Sequence, residues 1–311
     1  MAEIVGTFLA ALHPDEAGIA ARFMVGRALQ QGEEKRLQVS GRAIWKIVAA
    51  MTGAEDQGED IFAAAEDFGD AIGMLLRMRA PQPEPTLTIR EVADKFAEIA
   101  AIEGPSSRAR KLAELRGLFQ RASALEGKYL AKILIREMRH GMSEGIMLEA
   151  IAKMANRPVG DVRRAHMLEG DVGRVVSDLR AGAEPASAAK AQATPVARAR
   201  ALKPLKPMLA QPADTIADAF AILGNELALE HKLDGARVQI HHADGSTRIF
   251  SRKLNEITAS LPEIAEAIDR LGGRKVIFDG EVIAVGPDGK PLPFPELMRR
   301  LGRKGEVEGG R

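Results

Sequence analysis

The chain has 311 residues with 44 Lys/Arg, 43 Asp/Glu and no cysteine, which excludes disulfides and cysteine-ligated zinc. Its length allows two domains with good cores. No apolar run is long enough to span a membrane and no signal-peptide pattern opens the chain, so the expectation is a soluble protein of the cytoplasm with no membrane partner.

The net charge of +1 conceals a division along the chain. Residues 1–103 hold 10 Lys/Arg against 17 Asp/Glu, residues 104–204 hold 19 against 10, and residues 205–311 hold 15 against 16. The basic middle third is either the electrostatic footprint of a phosphate-backbone partner or a solvated helical face with a basic linker.

Residues 1 to about 180 read as helical. Apolar residues recur at helical spacing in Ala17 to Val25, again at Ile44, Ile47, Val48 and Met51 around the single Trp45, and along one amphipathic run from Glu59 to Leu76. Three prolines between Ala80 and Pro85 break helical structure. Thr88 has the chemistry of an N-cap, with Glu91 as its capping-box partner, and Ser106 or Ser107 starts a helix over about Arg108 to Ala124. An amphipathic stretch from Glu126 to Leu134 runs into Arg136-Glu137-Met138-Arg139-His140-Gly141-Met142, after which Ser143 opens a further helix through Met154. A glycine turn before a serine-capped helix exposes backbone N–H groups at a helix N-terminus, which suits phosphate, and Lys132, Arg136, Arg139 and His140 lie close by in sequence. The alternative is an ordinary helix-turn-helix with surface arginines.

Residues 181 to about 204 are Ala-rich with scattered Ser, Pro, Lys and Arg, a linker by composition. Asp214 to Leu223 reads as a short helix. Beyond Leu227 the pattern turns to strands. Leu227-Ala228-Leu229 reads as a buried strand, and Val238 to His242 pairs with Thr247 to Phe250 through an Asp244-Gly245 turn, delivering Ser251-Arg252-Lys253 at a strand end. A helix over Pro262 to Leu271 is closed by Gly272-Gly273. Val276 to Val285 is an apolar strand interrupted by Asp279 and Glu281; buried carboxylates there need partners, unless a Gly-Glu bulge sits on an edge strand. A turn at Gly286 to Gly289 leads to a last helix, about Phe294 to Leu301.

The rest is organised around Glu230-His231-Lys232-Leu233-Asp234-Gly235-Ala236-Arg237, which reads K-x-D-G-x-R with an acid two residues before the lysine. A lone strand-end lysine is ordinarily solvated. A nucleophilic lysine must be a free amine, and burial or nearby positive charge lowers its pKa from about 10.4. Lys232 is expected at the end of a strand, with Gly235 free to take positive φ and Arg237 able to supply charge and grip phosphate.

This stretch resembles the nucleotidyltransferase motif of ATP-dependent DNA ligases, and Ser251-Arg252-Lys253 and Phe278-Asp279-Gly280-Glu281 are similar to the family's next two motifs. The Arg139-His140-Gly141 turn and Gly170-Asp171-Val172-Gly173 resemble turns of the family's N-terminal DNA-binding domain, and Lys206-Pro207-Met208-Leu209-Ala210 resembles the start of its catalytic domain. The resemblance implies an all-helical DNA-binding domain over 1–180, a linker over 181–204, and over 205–311 the first part of an antiparallel-sheet, ATP-grasp-like adenylation domain: an α + (α+β) fold. It implies that Lys232 attacks ATP to form a lysine-AMP intermediate, that Glu230 helps recognise adenine, that Arg237 and Arg252 hold ribose and phosphate, and that Glu281 accepts from a ribose hydroxyl. Lys132, Arg136, Arg139, His140, Gly141 and Ser143 are the implied DNA-binding residues. ATP and Mg²⁺ are the implied cofactors and nicked double-stranded DNA the partner, with a monomer assisted by a sliding clamp.

Lys253 stands where the family commonly has asparagine, which puts DNA-side contacts in question. The family's later motifs and its C-terminal OB-fold do not follow Arg311, so the expectation is an incomplete form that cannot finish ligation. Other lysine-nucleotidyl transferases, such as an RNA ligase, a non-catalytic DNA-binding remnant, and a helical scaffold for protein partners remain the alternatives.

Overall fold

The computed structural model describes residues 1–30, 37, 39–182, 199–208 and 212–301, arranged as two compact units, Met1–Ala197 and Arg198–Arg311. The expected linker residues 183–198, Leu209-Ala210 and the ending from Gly305 lie outside the described residues.

The first unit is helical: α1 Ala2–Ala11, α2 Pro14–Met24, α3 Gly41–Thr52, α4 Gly58–Ala64, α5 Phe68–Arg77, α6 Ile89–Ala101, α7 Ser107–Arg121, α8 Ala124–Ile135, α9 Glu144–Ala155, α10 Val159–Glu169 and α11 Val172–Gly182. The expected single run from Glu59 to Leu76 is two helices. Asp67 accepts from the Asp70 N–H and so caps a new start, α5, because an aspartate held in extended backbone favours a helix N-terminus over a helix interior. Thr88 caps α6 by accepting from Glu91 N–H, but the Glu91 carboxylate turns away to Arg121 at 2.6 Å, so no reciprocal box closes there. The reciprocal box forms instead at Ser123 and Glu126, which also accepts from Leu87 N–H. Arg79 donates to the carbonyls of Phe119, Gln120 and Ala122, satisfying the end of α7.

Two hydrophobic cores lie side by side in this unit. One gathers α3 to α8 around Phe96, Phe119, Leu75 and Ile99; the other gathers α1, α9, α10 and α11 around Leu9, Met147 and Ile151. Helix α2 serves both, with Phe23 in the first and Ala17, Ala20 and Ala21 in the second. Close approach to α11 needs glycine on each side: a Cβ on Gly18 would lie 2.6 Å from Gly173 O, and one on Gly173 2.5 Å from Gly18 O.

The second unit holds α12 Ile216–Leu223, β1 Ala236–Ala243, β2 Ser246–Ser251, α13 Pro262–Asp269, β3 Val276–Val282 and α14 Phe294–Leu301. Its sheet is antiparallel in the order β2-β1-β3. Asp244 and Gly245 both take positive φ, 51° and 75°, as a two-residue hairpin turn requires. Val238, Ile249 and Leu261 centre a small core, and the opposite face of β1 carries Arg237, Gln239 and His241. Gln239 both accepts from Leu205 N–H (2.8 Å) and donates to Leu205 O (2.6 Å), pinning the 203–208 segment to that face.

Three expectations for this unit are corrected. Residues 227–229 form no strand, and Leu229 is 92% exposed, since no described strand lies beside them to complete a ladder. Gly235 does not take positive φ; it is there because a Cβ would collide with Val282 O and come within 2.9 Å of Ile283 on the β3 side. The β3 carboxylates are exposed, not buried, though Asp279 does have a partner in Arg237, and the register from Ala236↔Val282 to His242↔Val276 runs without a bulge, so among the described residues β3 is a regular edge strand.

Gly173→Ala should lower stability by about 2 kcal/mol, on the order of 5 °C in the melting midpoint, because backbone cannot yield as a side-chain end can. Gly117→Ala, where a Cβ meets nothing within 4 Å, should be neutral or stabilising. Thermal melts of both variants check this; equal losses would refute the close-approach argument.

His241 is fully buried, packed edge-to-face on Phe250 at 5.1 Å, and its Nδ1 has no hydrogen-bond partner among the described residues. Burial pushes its pKa down from 6.5 to about 4. The unfolded chain therefore takes up a proton first, and stability is lost as pH falls from about 6.5 to about 4, by on the order of 3 kcal/mol. Hydrogen exchange of β1 amides across that range should show the loss, and His241→Leu should flatten it.

Candidate functional site

The expected site residues fall into two groups, one in each unit. In the helical unit, α8 ends at Ile135 and α9 begins at Glu144, and the eight residues between them pass from one core to the other. Met138 packs on the first core and Met142 on the second. The turn is tightly wound: Arg136, Arg139 and Gly141 all have positive φ, at 61°, 48° and 74°. Arg136 is the left-handed C-cap of α8, its N–H bonded to Ile133 O at 3.2 Å. Ser143 caps α9 by accepting from Ile146 N–H at 3.2 Å. His140 Nδ1 accepts from Met142 N–H, which fixes the turn locally.

The result is an open hollow of about 370 Å³ lined by Arg136, Arg139, His140, Gly141 and Ser143 together with Val25, Met138 and Met142. Five of the six residues expected to bind DNA are thus brought to one place. The N-terminal end of α9 opens beside it, giving orphan N–H groups and a positive dipole end next to exposed arginines. Arg136 makes no ion pair among the described residues, whereas Arg139 pairs with Glu137 and donates to Glu66 O at 3.4 Å.

Lys132 is the exception. Its side chain is 7% exposed and its ammonium reaches Asp67 Oδ2 at 2.6 Å, away from the lining of the hollow. Burial by itself would push the Asp67 carboxyl up. The hydrogen bond from Lys132 and those from the Asp70 and Gly69 backbone outweigh it and leave the group below its usual 3.8. A buried cation is retained only with such a partner, and helical spacing on α8 could not show which way Lys132 points.

In the sheet unit, residues 230–235 enter β1 as irregular chain. Glu230 and Lys232 are exposed, four and more residues ahead of the sheet, so Lys232 is not held at a strand end as expected. Arg237 lies on β1 directly opposite Glu281 of β3, and the pairing of Val238 with Ser251 brings Arg252 to the same end of the sheet on the other side. Arg237 and Glu281 therefore face each other where the motif segment joins β1, and Arg252 follows in the turn just past β2 at the same end.

The Arg237 guanidinium is already engaged. Its Nε and one terminal nitrogen donate to Asp279 at 3.0 and 2.7 Å, and the other terminal nitrogen donates to Met208 O at 3.1 Å. The fork on Asp279 holds the arginine's pKa up, offset in part by burial. The sequence marks Asp279 as a strand carboxylate in need of a partner but assigns it no place at the site. The signal was present in the alternation of β3, since Asp279 and Glu281 must share a face and both lie within reach of a residue paired to one of them.

Two family models match the chain: the DNA ligase N terminus over residues 1–152, and the ATP dependent DNA ligase domain over residues 207–310. A probable DNA ligase of Anaeromyxobacter sp. (strain Fw109-5) is 44% identical over 239 residues, covering 77% of this chain and 44% of that protein. A probable DNA ligase of Koribacter versatilis is 39% identical over 302 residues, 97% of this chain and 50% of that protein. A DNA ligase of Thermococcus fumicolans is 36% identical over 301 residues, 95% and 52% respectively. The chain spans about half the length of the curated relatives it matches. With one matched family domain in each unit and similarity running through nearly the whole sequence, the chain belongs to the ATP-dependent DNA ligase family.

Proposed function

We propose that this chain provides the DNA-binding and nucleotide-accepting parts of an enzyme that seals nicks in duplex DNA through a lysine-AMP intermediate. The observation that carries the reading is the pairing of Arg237 with Glu281, with Arg252 in the turn just past β2, at the end of the sheet where Lys232 enters. In this reading Lys232 Nζ attacks the α-phosphorus of ATP; a P–N bond forms, the bond to the bridging oxygen breaks, and pyrophosphate leaves. AMP then passes to the 5′-phosphate of the nick, and the 3′-hydroxyl displaces it. Arg237 and Arg252 hold ribose and phosphate, Glu230 contributes to adenine recognition, and Glu281 accepts from a ribose hydroxyl. Preorganised positive charge around the reacting phosphate is the main aid to each step.

No group of three or more His, Asp or Glu able to hold a metal is found among the described residues. Mg²⁺ is commonly held by one or two carboxylates and the substrate's own phosphates, which needs no such cage, and Glu281 is an exposed carboxylate at the site. Bound there, the ion would neutralise developing phosphate charge. An ATP-grasp-like architecture for the complete domain and monomeric action with a sliding clamp belong to the same reading. No described helix is long and apolar enough to cross a membrane.

The adenylation reading is tested by intact mass after incubation with ATP and Mg²⁺. The expected outcome is an AMP-sized adduct that Lys232→Ala abolishes. An adduct that survives the substitution would remove Lys232 from its role, and none on the parent chain would overturn adenylation by this chain in favour of the second reading. The exposure of the motif segment favours a second reading, DNA binding without adenylation, whose signature is nicked-duplex affinity with no adduct.

For the helical turn, Arg136→Ala and Arg139→Ala should each weaken binding to nicked duplex irrespective of sequence. Each should also reduce the magnitude of the slope of log affinity against log salt by about 1. Titrations over a salt series check this, and an unchanged slope would place the arginines off the phosphates.

A further inference from the structure

The side chain of Lys132 crosses α5 at Gly69. A Cβ on Gly69 would collide with Lys132 Cγ, lie 2.7 Å from Lys132 Cε and 3.0 Å from Lys128 O, so glycine at 69 makes the passage for the lysine stem. At the far end the ammonium donates to Asp67 Oδ2 at 2.6 Å and to Met138 O at 3.4 Å. Asp67 uses its other oxygen to accept from Asp70 N–H at 3.0 Å, as the N-cap of α5. The neighbouring carbonyl, Glu66 O, accepts from Arg139. Start of α5, end of α8 and the middle of the 136–143 turn thus meet at one buried ion pair.

We propose that the Lys132–Asp67 pair is a strut that sets the shape of the 136–143 turn, making Lys132 a positioning residue for the phosphate-contacting groups and not itself a phosphate ligand. The proposal rests on the DNA-binding reading of that turn. The turn has a specific need for support, because Arg136 and Arg139 both occupy left-handed backbone that residues with a Cβ rarely adopt. Such conformations persist only where the surroundings over-determine them. A bond from a buried ammonium to Met138 O, at the centre of the wound segment, does so. Were Lys132 to swing out to a phosphate, it would strand the Asp67 carboxylate, itself only 5% exposed, without its cation.

The pair gives a test whose sign differs from simple electrostatics. Asp67→Asn keeps a capping oxygen for Asp70 N–H but removes the charge that holds Lys132. The chain becomes one unit more positive, which alone would tighten binding to DNA. The strut predicts the reverse: affinity for a nicked duplex falls about tenfold, and amide exchange at Met142 and its neighbours in the turn accelerates while α10 amides are unchanged. Lys132→Arg is the second variant. A phosphate ligand would tolerate arginine, whereas the passage over Gly69 was shaped for a linear stem, so the affinity loss should recur. Tighter or equal binding by Asp67→Asn with unchanged turn exchange overturns the strut, as does full affinity in Lys132→Arg. If the parent chain itself shows no affinity for nicked duplex, the DNA reading fails. Turn exchange in Asp67→Asn then decides the strut alone, with no acceleration counting against it.

Discussion

A chain that leaves one hydrophobic core to enter another must satisfy the backbone polar groups it exposes on the way. The segment 136–143 does this in the helical unit, and the candidate DNA site depends on how it is done. Met138 and Met142 anchor it to the two cores, left-handed residues turn the backbone tightly, and Ser143 starts α9 at once. The groups left without helical partners are the first N–H groups of α9, and they open beside two arginines and a histidine. The chemistry of the site is in this sense a by-product of joining two cores by a short connection, because the same geometry that saves chain length leaves donors pointing outward.

The sheet unit follows from a different requirement, that a strand have a neighbour. β1 is central and has partners on both sides, and its residues bury. Among the described residues β3 has one neighbour, and its acids are exposed, Asp279 in reach of Arg237. Residues 227–229 have none among the described residues and stay irregular, although their composition suits a strand. Side chains substitute for missing strands here. Gln239 makes both bonds of a strand pair with Leu205, and Arg237 ties Met208 O and Asp279 together. The arginine that would hold a nucleotide phosphate is therefore presented in a fixed orientation by a carboxylate on the next strand, with two N–H donors still available on its terminal nitrogens.

Most helices, the Asp244-Gly245 hairpin and the last two helices were legible from apolar period and turn chemistry, because those signals are local. What was not legible is long-range. The identity of the capping partners is one example: Thr88 caps as its type suggests, but Glu91 is claimed by Arg121, thirty residues away. The inward course of Lys132 depends on a glycine on another helix. The role of Gly235 is another; its type signals a turn, while the reason for it is a backbone approach from β3 that only the folded sheet reveals. For the candidate site, the motif residues 230–237 were legible through their resemblance to the family's K-x-D-G-x-R motif, whereas Asp279 acquires its part only through the strand register.

The charge division along the chain shows how far a sequence signal can be from its apparent meaning. The basic middle third reads as a footprint for phosphate, yet some of its cations are engaged by acids of the first third inside one folded unit. Lys132 takes Asp67, Lys128 takes Asp70, and Arg121 takes Glu91. These three pairs join an acid of residues 1–103 to a base of residues 104–204, while Arg27–Glu144 and Lys95–Glu114 run the other way, so the division of charge along the chain does not translate into one basic surface. What remains for a partner is local and geometric: exposed Arg136 without an ion pair among the described residues, Arg139 at the rim, and the opening of α9. A site of that kind can recognise a phosphate backbone on a chain of nearly neutral charge, since affinity depends on charges placed within reach of phosphates and not on the total.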